Sequence, residues 1–390
     1  MAENSKSISI LPLRRNVSKI AKNARDKFRD AFVKLNTGEF KFPGYRDYKP
    51  FPGGVTYWFK QDEIHQATHV HGGPAFLPWH RELCNRFEKL LRLAESSVSL
   101  HYWDWNEDPE HTTDDENKPL NLFTNEFMGH AKNKDGTPIL AGEPWSSAKF
   151  YNPNPTNENY RSIYEFDKLH NNPADPPIEI SRQKKDGTLK EWAKEIEQPF
   201  FSDEEILRSA TFPEMRRRLE HIHNLAHVYI GGTIGNSHTA FRDPFVFLIH
   251  SNVDRLFAAW QLQHGNEWRL DPKYIYGSET NSTAVGTPPE MTVGIMTLLS
   301  PWCGMDQLNS EPGLKDVRPW ASPDNWHKLP ELYPYERDNI KKNSLHTTVV
   351  MPPKYDDMND ENGNLKKESI NFCGSSKDLD KLLEDHHHND

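Results

Sequence analysis

Histidine is the residue type in this sequence whose spacing points most directly to chemistry. His223 and His227 lie four positions apart, so on a helix both imidazoles would face one side and could share a metal ion. His250 follows on an otherwise apolar stretch, DPFVFLIHSNVDRLFAAWQ. A neutral imidazole in such surroundings needs partners for both ring nitrogens, and a metal ion satisfies one of them.

A second group of histidines occurs upstream, within the segment IHQATHVHGGPAFLPWHR. Its members are His65, His69, His71 and His80. His80 is flanked by Phe, Leu, Pro and Trp residues, where an unpaired polar ring would be costly to bury. An i,i+4 histidine pair alone is more often structural than metal-binding, so the prediction depends on the two groups together. Two groups that each supply three imidazoles indicate two metal ions.

The expected ligand chemistry narrows the metal to copper or zinc. All the predicted ligands are nitrogens, a donor set that suits both metals, and copper has the higher intrinsic affinity. A mononuclear zinc hydrolase usually has a carboxylate ligand or an HExxH base, and neither accompanies His223 and His227. The cysteines, Cys84, Cys303 and Cys373, have no CxxC spacing, so neither a thiolate site nor a disulfide framework is predicted.

Apolar periodicity predicts that helices carry most of these histidines. Helical patterns occur at about residues 16–36, 55–68, 78–94, 203–210, 213–228 and 244–263. The intervening region 106–199 is rich in Pro, Asn, Asp and Gly, which indicates loop-dominated insertions. Residues 264–340 indicate loops with a few short helices. The pattern is typical of a mainly α fold.

Composition excludes several classes of function. The 390-residue chain has a net charge of −10 and no basic stripe, which argues against nucleic-acid binding because affinity for a polyanion comes from Lys and Arg. There is no run of 18 apolar residues, so we predict no transmembrane helix and no membrane partner. The N-terminus lacks the apolar segment of a signal peptide, and we therefore expect a cytoplasmic protein.

The two histidine blocks resemble the CuA and CuB motifs of tyrosinases, catechol oxidases and molluscan haemocyanins. The similarity lies in His71-x8-His80 within HGGPAFLPWHR and in HNLAHVYIGG followed by DPFVFLIHSNVDRLFAAWQ. HYWDW at 101–105, LYPYE at 332–336 and LPLRRNV near the N-terminus are also similar to family segments. The resemblance implies a four-helix bundle that carries a dinuclear copper site, is wrapped by long loops and has little β structure.

The resemblance also implies ligands and domains. CuA would be held by His65, His71 and His80, and CuB by His223, His227 and His250. His69 competes with His65, which is preferred because it ends a predicted helix, whereas His69 falls two residues before His71. The copper domain is predicted over residues 1–342, followed over 343–390 by a polar extension or small lid, in which Tyr355 or Phe372 could plug the site.

The implied activity is oxidation of small phenols by two copper ions with O2 as co-substrate, giving o-quinones. Glu220 stands where some family members have a glutamate that orients a water, and Asn224 matches an asparagine that polarises the same water, which favours hydroxylation of monophenols as well as oxidation of o-diphenols. Val228 would leave the substrate entrance uncrowded, and Phe241 would line or block it. Asp254 is expected either to hold a ligand histidine or to form an ordinary ion pair.

Alternative functions stay open at this point. A catechol oxidase or an o-aminophenol oxidase would have the same ligands without hydroxylating monophenols. A haemocyanin-like O2 carrier would cover the copper pair with a further domain, and a zinc-bound structural protein would have neither activity.

Overall fold

The computed structural model describes most of the predicted copper domain and part of the C-terminal extension. The described residues are 12–37, 39–40, 56–58, 61–62, 65, 71–73, 76–132, 138–147, 180–237, 239–270, 352–361 and 364–366. His69, the LYPYE segment at 332–336, Phe372 and the predicted domain boundary at residue 342 lie outside them.

Helices dominate the described residues, which confirms the mainly α prediction. They are α1 (Lys22–Leu35), α2 (Phe76–Ala94), α3 (Leu189–Glu195), α4 (Asp203–Leu207), α5 (Phe212–Ile230) and α6 (Phe245–Gln261). Two short strands, β1 (Thr112–Thr113) and β2 (Pro119–Leu120), pair antiparallel. Single 3-10 turns occur at Val17–Lys19, Ala240–Arg242 and Glu267–Leu270.

The core forms where four of these helices meet. Helix α2 packs against α1, α5 and α6, and α5 also packs against α6. Large aromatic side chains fill the space between them: the rings of Phe87 on α2 and Phe247 on α6 stack with centroids 3.7 Å apart, and Phe32 from α1 lies 5.1 Å from Phe87. Buried aromatic contacts of this kind add to the hydrophobic stabilisation of the bundle.

Local signals in the sequence explain where helix α5 begins and ends. The Thr211 side chain accepts a hydrogen bond from the backbone of Glu214, and Pro213 occupies the first turn, where its missing N–H costs nothing. The helix ends at Gly231, whose φ of 68° is a backbone conformation that glycine adopts readily. The helix thus extends the predicted 213–228 by one residue at its start and two at its end.

Part of the region predicted as loops is helical. Helix α3 lies within 106–199 and begins with a capping box, in which the side chains of Thr188 and Glu191 each accept from the other's backbone N–H. This Thr-x-x-Glu pattern was present in the sequence and was a missed signal. Helix α3 packs against α5, where the ring of Trp192 lies 6.1 Å from that of Tyr229.

A buried ionic network joins both ends of the described chain to the bundle. Arg14 donates to Asp254 on α6 (2.7 Å) and to Glu88 on α2 (3.0 Å), and its guanidinium lies 5.6 Å from the Tyr355 ring. Arg81, the residue after His80, also binds Asp254. Tyr355 is fully buried and donates to the Ser251 carbonyl. Residues 352–361 of the extension are therefore packed near the N-terminal segment, and Tyr355 is engaged in this network.

The side chain of His101 gives the fold a pH dependence that is separate from the metal centre. It is buried, it packs 5.0 Å from Phe28, and its Nδ1 accepts from the Arg15 backbone N–H (3.3 Å). Burial, aided by the positive charges of Arg15 and Arg14, lowers the pKa of His101 to about 3. The unfolded chain therefore binds a proton at this residue near pH 6.5 that the folded chain does not.

We expect His101→Gln to flatten the loss of stability on acidification. Because the folded pKa is lowered, the wild-type protein loses stability as pH falls from about 6.5 towards 3, by up to about 1.4 kcal/mol per pH unit from this group. Urea unfolding of copper-loaded protein between pH 7 and 4 measures the slope. His111→Gln, which alters a side chain that is 78% exposed, is the control. Equal slopes in the wild type and His101→Gln would contradict the expectation.

None of the helices in the described ranges combines the length and the apolar character needed to cross a bilayer.

Candidate metal centre

The structure brings the six predicted ligands together as two triplets. In each triplet, His65 with His71 and His80 and His223 with His227 and His250, one ligand atom per residue lies within 4.8 Å of the others. The grouping includes His65, the residue that the sequence favoured over His69. The triplets adjoin each other, since the rings of His80 and His250 stack with centroids 4.7 Å apart.

The CuB triplet stands on two regular helices. His223 and His227 are one turn apart on α5, and their ring centroids lie 4.4 Å from each other. His250 lies on α6, fully buried, and its ring is 4.8 Å from that of His223. The helical backbone alone therefore sets the relative position of two of the three ligands.

The CuA triplet has more varied supports. His80 lies in the first turns of α2, whereas His71 is non-helical and His65, like residues 61–62, is helical. The rings of His65 and His71 lie 5.7 and 5.2 Å from that of His80.

Hydrogen bonds orient four of the imidazoles so that Nε2 can bind a metal. Nδ1 of His80 and of His250 bonds the carbonyl oxygen four residues earlier, on Phe76 (2.8 Å) and Val246 (2.9 Å). Nδ1 of His227 bonds the carbonyl of Ile234 (2.7 Å), and Nδ1 of His223 the side-chain oxygen of Asn224 (2.9 Å). A carbonyl only accepts, so each Nδ1 carries the proton and Nε2 presents a lone pair.

The glycine-rich turn after α5 makes the His227 contact possible. Gly232 has a φ of 58°, and a Cβ there would lie 2.3 Å from the Ser181 carbonyl oxygen, so only glycine fits without displacing the backbone. The turn reverses the direction of the chain, so that the carbonyl of Ile234 lies within hydrogen-bond distance of Nδ1 of His227.

The arrangement of ring nitrogens fits a cation. Nε2 atoms of His223 and His250 lie 3.0 Å apart. Two lone pairs at this distance repel each other, whereas two nitrogens bound to one ion at about 2.0–2.1 Å are expected at a similar separation. Nε2 of His80 and of His227 is buried and makes no hydrogen bond within the described part of the chain. The residues present therefore fit two metal ions, one in each triplet.

Burial keeps the ligand imidazoles neutral, the form that binds metal. It lowers the pKa of His227 to about 4, with the hydrogen bond to Ile234 acting in the opposite direction. Burial is also the largest cause of the lowered pKa of His80, His223 and His250, which falls well below 6.5, and neighbouring histidines lower it further. Because these imidazoles resist protonation, protons compete little with a metal ion for their ring nitrogens.

Aromatic rings pack around the ligands, and they include Phe76 and Trp79, which the sequence placed beside His80, and Phe241, which it placed near the substrate entrance. Phe76 lies 4.7 Å from His80 and 4.9 Å from His223, and Trp79 lies 5.8 Å from His65. Phe241 is fully buried, with its ring 4.3 Å from His65 and 5.1 Å from Phe247 in the core. Phe241 thus packs between the ligands and the core, and its role in a substrate pocket stays a prediction.

The other predicted site residues lie on α5. Asn224 and Val228 are exposed, Val228 to 49%. Glu220 is buried, and its carboxylate accepts from the Gly72 backbone N–H (2.5 Å) and from Arg216 (2.6 Å). Asn224 therefore contacts the CuB ligand His223 directly, whereas Glu220 contacts Gly72, the residue that follows the ligand His71.

Asp254 turns out to form ion pairs. The second nitrogen of His250 binds a backbone carbonyl, and Asp254 instead receives hydrogen bonds from Arg14 and Arg81. The buried ion pair of Asp62 with Arg242 was also missed in the sequence. Asp62 lies three residues before His65, and Arg242 lies just before α6. A single sequence carries no local signal for a pair that spans 180 positions.

Comparison with known proteins agrees with this site. The family described as the common central domain of tyrosinase matches residues 51–263, more than half of the chain and a span that includes all six histidines. The chain is 29% identical over 201 residues to the tyrosinase-like protein tyr-3 of Caenorhabditis elegans, a match covering 49% of this chain and 24% of that protein. It therefore spans about a quarter of that nematode protein.

Two further relatives are a tyrosinase and a hemocyanin. A tyrosinase of Streptomyces lincolnensis is 27% identical over 232 residues, which cover 60% of this chain and 74% of that enzyme. Hemocyanin 2 of Megathura crenulata is 28% identical over 259 residues, which cover 64% of this chain and 6% of that protein. Together with two histidine triplets that fit two copper ions, CuA and CuB, these matches show that the chain belongs to the tyrosinase family of type 3 copper proteins.

Proposed function

We propose that this protein is a tyrosinase, an oxidase that uses O2 to hydroxylate monophenols at the ortho position and to oxidise o-diphenols to o-quinones. The observation that carries the proposal is the exposed face of α5 beside CuB. Asn224 and Val228 are both exposed, and each follows a CuB ligand directly in sequence. A small phenol can approach the ligands of CuB along this face. An oxidase needs such access for its substrate, whereas a protein that binds only O2 does not.

The reaction divides the work between the metal ions and the protein. Copper, when bound, supplies the redox chemistry with O2. The chain's own residues bind and orient the phenol, keep bulk water from the buried ligands and direct a proton. An o-diphenol loses two electrons and two protons and gains no atom, whereas a monophenol must lose its phenolic proton before its ring gains an ortho oxygen, so a positioned acceptor is decisive for monophenols.

Asn224 supplies this positioning. Its side-chain oxygen accepts the Nδ1 proton of His223, which fixes the amide plane beside the CuB ligand. The amide NH2 can then donate to a water or a phenol oxygen on the exposed side. Glu220 lies one turn earlier on α5 and supplies the negative charge that favours a proton acceptor there, with Arg216 as its counter-ion.

We expect Asn224→Ala to lower kcat/KM for a monophenol on the order of 10²-fold while lowering that for an o-diphenol much less, because the variant removes proton positioning and leaves all six ligands in place. Steady-state kinetics with L-tyrosine and a catechol measure the two effects. Arg217→Ala, at an exposed position on the same helix, is the matched control. Equal losses on both substrates would rule out a specific role of Asn224 in monophenol turnover.

The proposed function itself is tested by supplying copper-loaded protein with a monophenol, a catechol or an o-aminophenol in the presence of O2. Quinone formation from the monophenol and the catechol supports a tyrosinase. Oxidation of the catechol alone would make the protein a catechol oxidase, and oxidation of the o-aminophenol without monophenol turnover an o-aminophenol oxidase. O2 uptake that is reversible and yields no product would make it a carrier.

A further inference from the structure

The two copper sites differ in how their ligands are supported. All three CuB ligands stand on α5 and α6, whose backbone hydrogen bonds are internal to each helix. Of the CuA ligands, His80 stands on α2, whereas His71 is non-helical. Side chains from the CuB elements contact His65 itself, Asp62 and Gly72, next to the ligand His71.

The first holding contact is an ion pair at His65. Asp62, one turn before His65, binds Nε of Arg242 (3.2 Å), and both side chains are 2% exposed. Arg242 lies in the 3-10 turn that leads into α6, the helix of His250. The neighbouring residue Phe241 packs on the His65 ring at 4.3 Å. The turn before α6 thus makes two contacts here: Arg242 forms an ion pair with Asp62, one turn before His65, and Phe241 packs on the imidazole ring of His65.

The second holding contact is a hydrogen bond at His71. The backbone N–H of Gly72 donates to Oε1 of Glu220 (2.5 Å), and Arg216 binds Oε2 of the same carboxylate (2.6 Å). Glu220 and Arg216 are both buried on α5, one turn apart. A charge-assisted hydrogen bond of this kind is stronger than one between neutral groups, so the position of Gly72 relative to α5 is well fixed.

We propose that the CuA site is completed by the CuB elements, in which Asp62, Arg242 and Glu220 position the ligands of CuA but not those of CuB. If these contacts are lost, His65 and His71 are held less firmly before copper binds, and the added entropy cost of ordering them lowers the affinity of CuA. CuB keeps its affinity because its ligands are positioned by helices that form without them. The proposal concerns copper binding and does not depend on which phenol, if any, the protein oxidises.

The test measures each site by itself. His227→Ala removes one CuB ligand, so the copper bound by that variant reports CuA, and His80→Ala makes the bound copper report CuB. In each background, Asp62→Asn and Glu220→Ala are introduced, and Cu(I) affinity is measured by equilibrium dialysis with a competing chelator. We expect about a 10-fold or greater loss at CuA and a change of no more than about twofold at CuB.

The unchanged affinity of CuB also shows that a variant has folded. Asp62→Asn leaves Arg242 buried beside a neutral partner, so Arg242→Gln and the double variant are measured as well. If the ion pair itself positions His65, the double variant should lose no more CuA affinity than either single variant. Glu220→Gln, which keeps an oxygen to accept from Gly72, should lose less than Glu220→Ala.

A matched control is Asp108→Asn. Asp108 pairs with the buried Lys184 at 2.9 Å and also binds His111 and the Glu110 backbone. This variant should leave the copper affinity of both sites unchanged. The proposal is overturned if Asp62→Asn and Glu220→Ala weaken CuA and CuB equally, or if they weaken neither.

Discussion

His250→Ala is expected to reduce the copper content of the protein from two ions per chain to one and to abolish its O2-dependent oxidation of phenols. His250 is fully buried, and its Nε2 lies 3.0 Å from that of His223 across the position of one ion. Two remaining nitrogens bind copper much more weakly than three. Metal analysis and the rate of quinone formation measure the two effects.

The matched control for this prediction is His221→Ala. His221 lies on α5, two residues before the CuB ligand His223, but its Nε2 bonds the Pro199 carbonyl (2.9 Å). The control should keep two copper ions and the wild-type rate. A His250→Ala protein that still binds two ions, or a control that loses one, would be inconsistent with the assignment of CuB.

Asp254→Ala is expected to cause the largest loss of stability, about 3–5 kcal/mol, because it leaves buried arginines without their shared counter-ion. Asp254 is 2% exposed, accepts from Arg14 (2.7 Å) and from Arg81, and lies 2.9 Å from the Tyr355 hydroxyl. Asp254→Asn, which keeps the shape and one acceptor, should cost less. Urea unfolding of the copper-loaded proteins measures both.

An exposed ion pair provides the comparison for Asp254. Arg15 and Glu361 are 35% and 74% exposed, and Glu361→Gln should change stability by no more than about 1 kcal/mol. A loss below about 1 kcal/mol for Asp254→Ala would show that the network contributes little, since truncating a buried partner normally costs several times more.

The ligand set was predictable because most of its signals are local. The spacing of His223 and His227 places both on one face of α5, and the carbonyls that orient His80 and His250 come from the preceding turn of the same helix. His65 was a choice between two nearby histidines, and the tertiary structure places it with His71 and His80. The helices could be predicted for the same reason, apart from the short α3.

The contacts that were not predictable join residues far apart in sequence. Gly72 and Glu220 are separated by 148 positions, and Asp62 and Arg242 by 180. A charged residue in one sequence does not reveal its partner at such separations. Asp254 illustrates the same limit. The sequence allowed either a contact with a ligand histidine or an ion pair with an arginine or lysine that it could not identify, and the structure shows ion pairs with Arg14 and Arg81.

The central claim is that six histidines hold two copper ions, one in each triplet. The most direct measurement is a crystal structure of the copper-loaded protein with anomalous diffraction recorded above and below the copper absorption edge. We expect two copper peaks, one among His65, His71 and His80 and one among His223, His227 and His250. One peak only, a peak outside these triplets, or a signal at the zinc edge instead would contradict it.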